Sequence, residues 1–299
     1  MNIWQQKNLK AIQQRLIWLH NKEDGVLIKQ QSGEGSLAII KAADNISLYF
    51  VVETDDPQKP LVSGVMSQIN LKKPLYLHSI YQQAMLLSIL FVKRPQQAYM
   101  MGFGGGRIPM VLQHYFRTIT LHSSETDSDV LKMAEMFFAI KLNQRMQVAV
   151  QDGREHLSQS TTAYDIILID CFTAEGVQPT QLATKEFYQL CQARLSPQGV
   201  VSTNLATTDP LFERKKLTFT DSFNYVYGFH YINNYVLFGS NSCDIDSTHI
   251  QQRTLEIMQK KKIEMPLNTI ATAIKQLTTK DENDENIADI LVDASISHY

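Results

Sequence analysis

The stretch that decides the fold begins with Ala98-Tyr99-Met100-Met101-Gly102-Phe103-Gly104-Gly105-Gly106, an apolar strand that runs into a glycine turn. Glycine lets the backbone of such a turn come close to a ligand. Glu125 follows about twenty positions later, the distance at which a carboxylate can hold ribose hydroxyls. Then come Asp152-Gly153 and the β-strand Tyr164-Asp165-Ile166-Ile167-Leu168-Ile169-Asp170, which ends in an aspartate. This order predicts a nucleoside-binding Rossmann-like domain, whose chemistry lies at the carboxyl ends of parallel strands.

The composition is that of an ordinary globular protein: the 299 residues are 44% hydrophobic and 19% charged, with a formal net charge of −2. A net charge so close to zero gives no electrostatic footprint for nucleic acid or an anionic membrane, so we expect neither as a partner. Cys171, Cys191 and Cys243 are too few and too scattered for a disulfide framework or a zinc site, and no metal is expected. No apolar stretch approaches the roughly 20 residues of a membrane span, and residues 1–7 lack the apolar core of a signal peptide, which predicts a cytoplasmic protein.

Residues 1–74 are predicted to form a helix and a small β-rich domain. Apolar residues near helical spacing indicate a helix over residues 3–20. Short β-branched and aromatic runs over residues 26–66, broken by Gly, Ser, Asp and Pro, indicate a small antiparallel sheet. A turn between two of its strands is expected at Asp55-Asp56-Pro57.

Residues 75–279 are predicted to form the Rossmann-like domain. A helix over residues 76–91 comes first, and strand and helix patterns then alternate, which indicates parallel βαβ units. The predicted strands are residues 98–101, 119–123, 146–150, 165–170 and 199–203, and the predicted helices are residues 109–116, 130–140 and 182–195. An antiparallel edge pair is predicted at residues 225–229 and 235–238, followed by helices over residues 249–262 and 266–278. The polar residues 280–299 are predicted to be an acidic, mobile tail.

Three carboxylates in this domain are candidates for binding or catalysis. Glu125 has two open interpretations, a ribose ligand or an acid that stabilises a helix N-terminus. Asp152 is either the N-cap of a helix or the acceptor of a hydrogen bond from an exocyclic amine such as that of adenine. Asp170 ends an apolar strand, so we expect it at the rim of the sheet, where an acid can deprotonate or orient an amine.

These motifs also come in the order of a known family. The motifs are Gly102-x-Gly104-Gly105-Gly106, Glu125-x-Asp127, Asp152-Gly153-Arg154, the strand that ends at Asp170, and Thr184-Lys185-Glu186-Phe187-Tyr188. Over residues 60–205 the chain resembles the spermidine synthase-like proteins, polyamine aminopropyltransferases that have the class I methyltransferase fold. The resemblance implies an α/β fold in which a small antiparallel β-domain precedes the Rossmann-like domain.

The resemblance further implies a co-substrate and the residues that hold it. The co-substrate is an adenosyl sulfonium, either decarboxylated S-adenosylmethionine or S-adenosylmethionine itself, and the acceptor is a small amine such as putrescine. By resemblance the nucleoside lies on Gly102, Gly104, Gly105 and Gly153. Glu125 would hold the ribose, Asp152 would contact the adenine, and Asp170 would help to accept the proton of the amine.

The chain departs from the family where a diamine would bind. Family members that transfer aminopropyl groups have an acid at the position of Arg107. The positive charge of Arg107 would repel the cationic aminopropyl arm and would instead pair with the carboxylate of intact S-adenosylmethionine. A second family acid is replaced by Thr173, and the acidic gate is replaced by Tyr81-Gln82-Gln83. Tyr81 is a candidate substrate contact, and Glu175 is a candidate replacement for the missing acid.

Three functions therefore stay open. The family order and the β-domain favour aminopropyl transfer to an amine. Arg107 and the missing acids favour a methyltransferase that uses S-adenosylmethionine, with an unknown acceptor. The same losses fit a degenerate homologue that binds a nucleoside without turnover. The N-terminal helix and the exposed edges of the β-domain are compatible with a homodimer.

Overall fold

The computed structural model describes residues 3–33, 35–52, 61–242, 244–277 and 290–296. The predicted turn at Asp55-Asp56-Pro57 and Cys243 lie outside these residues, as do residues 280–289 and 297–299 of the predicted tail. Among the described residues, every helix is too short or too polar to cross a membrane.

The N-terminal part is a helix followed by a four-stranded antiparallel sheet, as predicted. Its elements are α1 Ile3–His20, β1 Gly25–Ser32, β2 Gly35–Ala42, β3 Asn45–Val52 and β4 Leu61–Asn70, with the strands in sequential order. Leu37 and Ile39 of β2 and Ile46 and Leu48 of β3 are fully buried apolar residues at alternate positions, and Ile39 pairs with Leu48 across the two strands. One face of the sheet is therefore apolar, and this face packs on the rest of the chain.

The second part is a mostly parallel sheet of eight strands. These strands are β5 Gln97–Met101, β6 Thr120–Glu125, β7 Met146–Val150, β8 Tyr164–Ile169, β9 Leu195–Ala206, β10 Tyr225–Tyr231, β11 Asn234–Ser240 and β12 Lys275–Leu277. Their order in the sheet is β12-β10-β11-β9-β8-β5-β6-β7. Strands β5 to β9 pair in parallel, whereas β10, β11 and β12 form an antiparallel edge. The predicted α/β fold with its antiparallel edge is confirmed.

Helices precede, connect and follow these strands along the chain. They are α2 Ile80–Leu86, α3 Arg107–Tyr115, α4 Ser128–Phe137, α5 Gly153–Gln159, α6 Lys185–Ala193, α7 Phe212–Ser222, α8 Ser247–Lys261, α9 Leu267–Ala273 and α10 Asp293–Ile296, with 3-10 helices at Leu87–Leu90 and Thr180–Leu182. The apolar face of the N-terminal sheet packs against α3, α4 and the loop that follows α4, where Met133, Phe137 and Phe138 are buried. This contact holds the small sheet beside the carboxyl ends of β5 and β6.

Several elements differ from their predicted bounds. The helix predicted over residues 76–91 begins at Ile80 and ends as a 3-10 helix. The helix predicted over residues 266–278 stops at Ala273, because the next residues leave it to pair with β10 as β12. Helices α5 and α7 were not predicted from the sequence.

Part of the segment predicted as a mobile tail is packed on the large domain. The side chain of Leu291 is fully buried, and its backbone N–H donates to Thr218 Oγ1 at 2.9 Å. The Lys185 N–H donates to the Leu291 carbonyl at 2.8 Å. Residues 290–296 therefore lie against α6 and α7.

Candidate active site

A cavity of about 540 Å³ lies at the carboxyl ends of β5, β6 and β8. The strand order reverses between β5 and β8, and open α/β sheets bind their ligands at such a point. The N-terminal sheet supplies the opposite wall through Phe50, Met66 and Ser67. A volume of this size is within the range of small-molecule sites.

The glycine turn after β5 forms the floor of the cavity. Gly102, Gly104 and Gly106 have positive φ angles of 81°, 50° and 62°, which side chains disfavour. A Cβ atom on Gly102 would lie 2.4 Å from the carbonyl oxygen of Asp170, so a larger residue would push β5 and β8 apart. The turn needs glycine both for its conformation and for its close contact with the next strand.

The carboxylate of Glu125, at the end of β6, is fixed beside this turn. Its Oε2 accepts hydrogen bonds from the backbone N–H groups of Gly104 at 2.9 Å and Phe103 at 3.2 Å. Its Oε1 accepts from the Asp127 N–H at 3.2 Å. Burial raises the pKa of Glu125, and these backbone hydrogen bonds oppose the rise because they favour the charged form. Glu125 lines the cavity with its orientation already set.

Asp152 and Gly153 follow β7 and line the same cavity. Asp152 is the N-cap of α5, and its Oδ1 accepts the Glu155 N–H at 2.9 Å. A Cβ atom on Gly153 would lie 2.2 Å from Met101 Cγ, so α5 packs on β5 only because this residue is glycine. The capping interpretation of Asp152 is confirmed, and its place on the cavity wall leaves a ligand contact open as well.

Asp170 lies directly after β8, and its backbone N–H donates to the Met101 carbonyl at 3.0 Å. Its Oδ1 accepts a hydrogen bond from Asn204 Nδ2 at 3.1 Å, and the Tyr81 hydroxyl is its second partner. Burial raises the pKa of Asp170 to about 6, and the bonds from Asn204 and Tyr81 limit that rise. A carboxylate with such a pKa is ionised at neutral pH and is a stronger base than an ordinary aspartate.

Arg107, at the start of α3, is almost completely buried and lines the cavity. Its Nη2 donates to the carbonyl oxygens of Pro74 and Tyr76, and its Nη1 contacts Met110 Sδ at 3.2 Å. Nε is buried without a hydrogen-bond partner, and burial lowers the pKa of Arg107 to about 10. Among the ion pairs of the described residues, none involves Arg107. A positive charge is thus buried at the cavity without a carboxylate beside it.

The structure brings most of the predicted site residues together, but not all. Those that line the cavity are Tyr81, Gly102, Gly104, Arg107, Glu125, Asp152, Gly153 and Asp170. Gly105 does not line it: its N–H donates to Ser67 Oγ at 2.8 Å, and a Cβ atom on Gly105 would lie 2.8 Å from Phe138 Cδ1. Glu175 is exposed to solvent and does not line the cavity.

The wall also has polar residues that were not predicted from the sequence, among them Gln82, Asn204 and Asn234. Asn204 was detectable, because it comes one residue after the predicted strand 199–203, just as Asp170 ends its own strand. Gln82 and Asn234 gave no such signal. Gln82 was considered only as a residue that replaces a family acid, and Asn234 comes just before a predicted edge strand.

The fold and the cavity define a class of protein: an α/β protein with a cavity of small-molecule size and a carboxylate at the switch point of its sheet. Residues 79–238 match the family model of the spermine/spermidine synthase domain. Because this match spans more than half of the chain, the chain belongs to that family.

Of two curated relatives, one is an aminopropyltransferase and the other a methyltransferase. The chain is 28% identical over 152 residues to the polyamine aminopropyltransferase of Vibrio vulnificus, a match that covers 50% of each chain. It is 24% identical over 151 residues to the eEF1A lysine and N-terminal methyltransferase of Bos taurus, covering 45% of this chain and 22% of that protein. The chain therefore spans half or less of the length of these relatives.

The fold is also that of a solved spermidine synthase. A spermidine synthase in complex with the transition-state analogue AdoDATO superposes with a TM-score of 0.58 at 19% identity, covering 83% of each chain. At this identity the likeness concerns the fold alone.

Proposed function

We propose that this protein is an enzyme that transfers an alkyl group from an adenosyl sulfonium to the nitrogen of an amine. The observation that carries the proposal is Asp170, a carboxylate with a raised pKa, held by Tyr81 and Asn204 at the switch point of the sheet. It lies in one cavity with the glycine turn and Glu125. Family membership and the two transferase relatives support the same type of reaction.

In the proposed reaction the amine nitrogen attacks a carbon next to the sulfonium. A C–N bond forms, the C–S bond breaks, and its electron pair stays on sulfur as a neutral thioether. The proton that the amine loses goes to the Asp170 carboxylate. Gly102, Gly104, Glu125, Asp152 and Gly153 hold the nucleoside, so that the reacting atoms meet in line.

The charge at Arg107 favours intact S-adenosylmethionine as the donor, and hence methyl transfer. A buried guanidinium without a carboxylate partner raises the cost of placing a cationic aminopropyl arm in this cavity. The same charge attracts the carboxylate of the intact donor.

Aminopropyl transfer from decarboxylated S-adenosylmethionine to an amine such as putrescine is the second candidate. It is favoured by the matched family and by the aminopropyltransferase relative. A role in polyamine biosynthesis would follow from this candidate alone. A small-molecule amine as partner, a cytoplasmic location and a homodimer remain predictions.

Calorimetric titration of the purified protein with each donor tests this proposal. We expect intact S-adenosylmethionine to bind at least about tenfold more tightly than its decarboxylated form, a difference of about 1.4 kcal/mol. The variant Arg107→Met keeps the length of the side chain and removes the charge, so it should lose this preference while its thermal unfolding still shows a folded protein.

Each other outcome has its own meaning. A preference for the decarboxylated donor would move the function to aminopropyl transfer despite Arg107. Binding of a donor with no turnover of any amine tested would favour the degenerate homologue. If neither donor binds, the proposed transfer is wrong.

A further inference from the structure

The cavity has a donor end and an acceptor end, separated by Asp170. The nucleoside subsites come from β5, β6 and β7, on one side of the switch point. On the other side the wall is built by β9, the turn between β10 and β11, and α2. The side chains there include four amides: Gln82, Asn204, Asn233 and Asn234.

Asn204 and Asn234 are tied to Asp170 by a chain of hydrogen bonds. Asn234 Nδ2 donates to Asn204 Oδ1 at 3.2 Å, and Asn204 Nδ2 donates in turn to Asp170 Oδ1 at 3.1 Å. Asn204 is completely buried, so both ends of its side chain are fixed. On the other flank, Tyr81 binds Asp170 and lies next to Gln82 in sequence and in space, with Gln82 Nε2 3.5 Å from the Tyr81 hydroxyl.

Negative charge is confined to the donor end in the part of the wall that the structure describes. Besides Asp170, the carboxylates that line the cavity are Glu125, Asp127 and Asp152, which all follow β6 or β7. Glu175 lies between the lining residues Ala174 and Gly176 but is exposed to solvent. A further acid next to the acceptor end is Asp209, beside the lining residue Thr208. Its Oδ2 pairs with the buried Lys215, and its Oδ1 accepts the Leu211 N–H at 2.8 Å. The charge of Asp209 is therefore balanced by Lys215, and both of its carboxylate oxygens already have partners within the protein.

We propose, on the basis of the proposed function, that the acceptor is a primary amine on an uncharged body that bears amide or hydroxyl groups. Asp170 receives its one amino group, and the amides of Gln82, Asn233 and Asn234 exchange hydrogen bonds with the neutral body. Side-chain amides both donate and accept, so they match such groups. A second ammonium would lose its hydration here without a carboxylate in exchange, which costs several kcal/mol.

A pair of probes that differ only at the far end tests this inference. Putrescine has an ammonium at both ends, whereas N-acetylputrescine has the same chain with a neutral acetamide at one end. The protein is saturated with 5′-methylthioadenosine, the nucleoside part common to both donors, and each amine is titrated by calorimetry. We expect N-acetylputrescine to bind at least about tenfold more tightly than putrescine.

The outcomes separate this inference from the proposed function. If 5′-methylthioadenosine binds but putrescine binds as tightly as its acetylated form, or neither amine binds, the inference is wrong and the proposed function stands. If 5′-methylthioadenosine does not bind, S-adenosylhomocysteine, which keeps the amino-acid tail, replaces it in the titration. If neither nucleoside binds, the proposed function fails and the inference fails with it.

Two variants that add a carboxylate should reverse the preference. Gln82→Glu should raise the affinity for putrescine several-fold, because the second ammonium then has a partner. Asn233→Asp makes the same change at an exposed position of the turn, where the risk to folding is small. Gln144→Glu is the matched control: this exposed residue precedes β7, at the opposite edge of the sheet. Putrescine affinities that stay at the level of Gln144→Glu in both variants would contradict the inference.

Discussion

Two properties of Asp170 suit it to act as a base. Burial raises the pKa of its carboxyl group, and hydrogen bonds fix the orientation of the side chain. Tyr81 supports this role, since burial and the neighbouring Asp170 charge hold the pKa of its hydroxyl well above 10, so that it remains a donor. Asn204 donates from the other side. The carboxylate therefore faces the cavity with one orientation and can receive a proton there.

We expect the activity to rise with pH through about 6, because only the ionised form of Asp170 can take the proton of the amine. The variant Asp170→Asn should lose at least about 100-fold in kcat/KM, the usual contribution of a general base. The profile of kcat/KM against pH between 5 and 8 checks the first expectation. A profile that is flat through this range would show that another group accepts the proton.

The same variant should be more stable than the wild type at alkaline pH. The folded-state pKa of Asp170, about 6, lies above its ordinary value of 3.8, so folding favours the protonated carboxyl. That contribution is complete below pH 3.8 and is lost as the pH rises through 6. At pH 8, Asp170→Asn should thus gain up to about 3 kcal/mol in the free energy of unfolding relative to the wild type. Thermal unfolding at pH 5 and pH 8 measures it, and an equal difference at both pH values would contradict it.

Among the secondary-structure elements, the pairing register of β8 and β9 places the side chains of the site. Ile169 of β8 pairs with Thr203 of β9, so Asp170 and Asn204 follow as neighbours on adjacent strands. A sequence pattern can predict where a parallel strand ends, and functional residues lie at the carboxyl ends of such strands. Asp170 was predicted in this way. The same rule could have found Asn204 too. Glu175 lies in the loop after β8, where no periodicity fixes the direction of a side chain, and the structure leaves it in solvent.

The elements that the sequence did not predict depend on distant contacts. The three residues of β12, Lys275–Leu277, carry no strand pattern and become a strand only because β10 offers a free edge. Helix α5 has only seven residues, and its start at Asp152 was predicted as one of two open interpretations, an N-cap or a ligand contact. Long apolar periodicities were predicted well, because burial of one face decides them locally.

An ion pair between Arg154 and Asp293 joins helix α5 to helix α10. Arg154 Nη1 donates to Asp293 Oδ1 at 2.8 Å, and Nη2 donates to the other oxygen. This bond lowers the pKa of Asp293 and raises that of Arg154. Thr184, the N-cap of α6, also donates to Asp293 at 2.7 Å. Asp293 thereby joins α5, α6 and α10.

We expect Asp293→Asn to release residues 290–296 while the global free energy of unfolding falls by no more than about 1 kcal/mol, because the pair is partly exposed. Hydrogen exchange at the backbone N–H of Leu291 should become several-fold faster. Asp221→Asn is the matched control, since Asp221 pairs with Lys185 at 3.4 Å and is equally exposed, 41%. Equal exchange at Leu291 in both variants would mean that apolar packing alone holds the segment.

At the scale of the whole molecule, the cavity belongs to two sheets at once. The matched family domain begins at residue 79, yet Phe50, Met66 and Ser67 of the N-terminal sheet complete the cavity wall. The hydrogen bond from the Gly105 N–H to Ser67 Oγ, 2.8 Å long, connects that sheet to the glycine turn. The N-terminal sheet is therefore coupled to the glycine turn of the cavity, although it carries none of the predicted catalytic residues.

This coupling predicts that Ser67→Ala weakens both folding and donor binding. The Gly105 N–H would remain buried without an acceptor, which costs about 1–3 kcal/mol, and the turn that faces the donor would lose its anchor. Ser47→Ala is the control within the same sheet: Ser47 is buried and accepts a hydrogen bond from Gln68 Nε2 at 3.0 Å, but it does not line the cavity. Both variants should unfold at lower temperature, whereas only Ser67→Ala should raise the Kd for S-adenosylmethionine. An unchanged Kd in Ser67→Ala would mean that the large sheet and Glu125 hold the glycine turn without help from the N-terminal sheet.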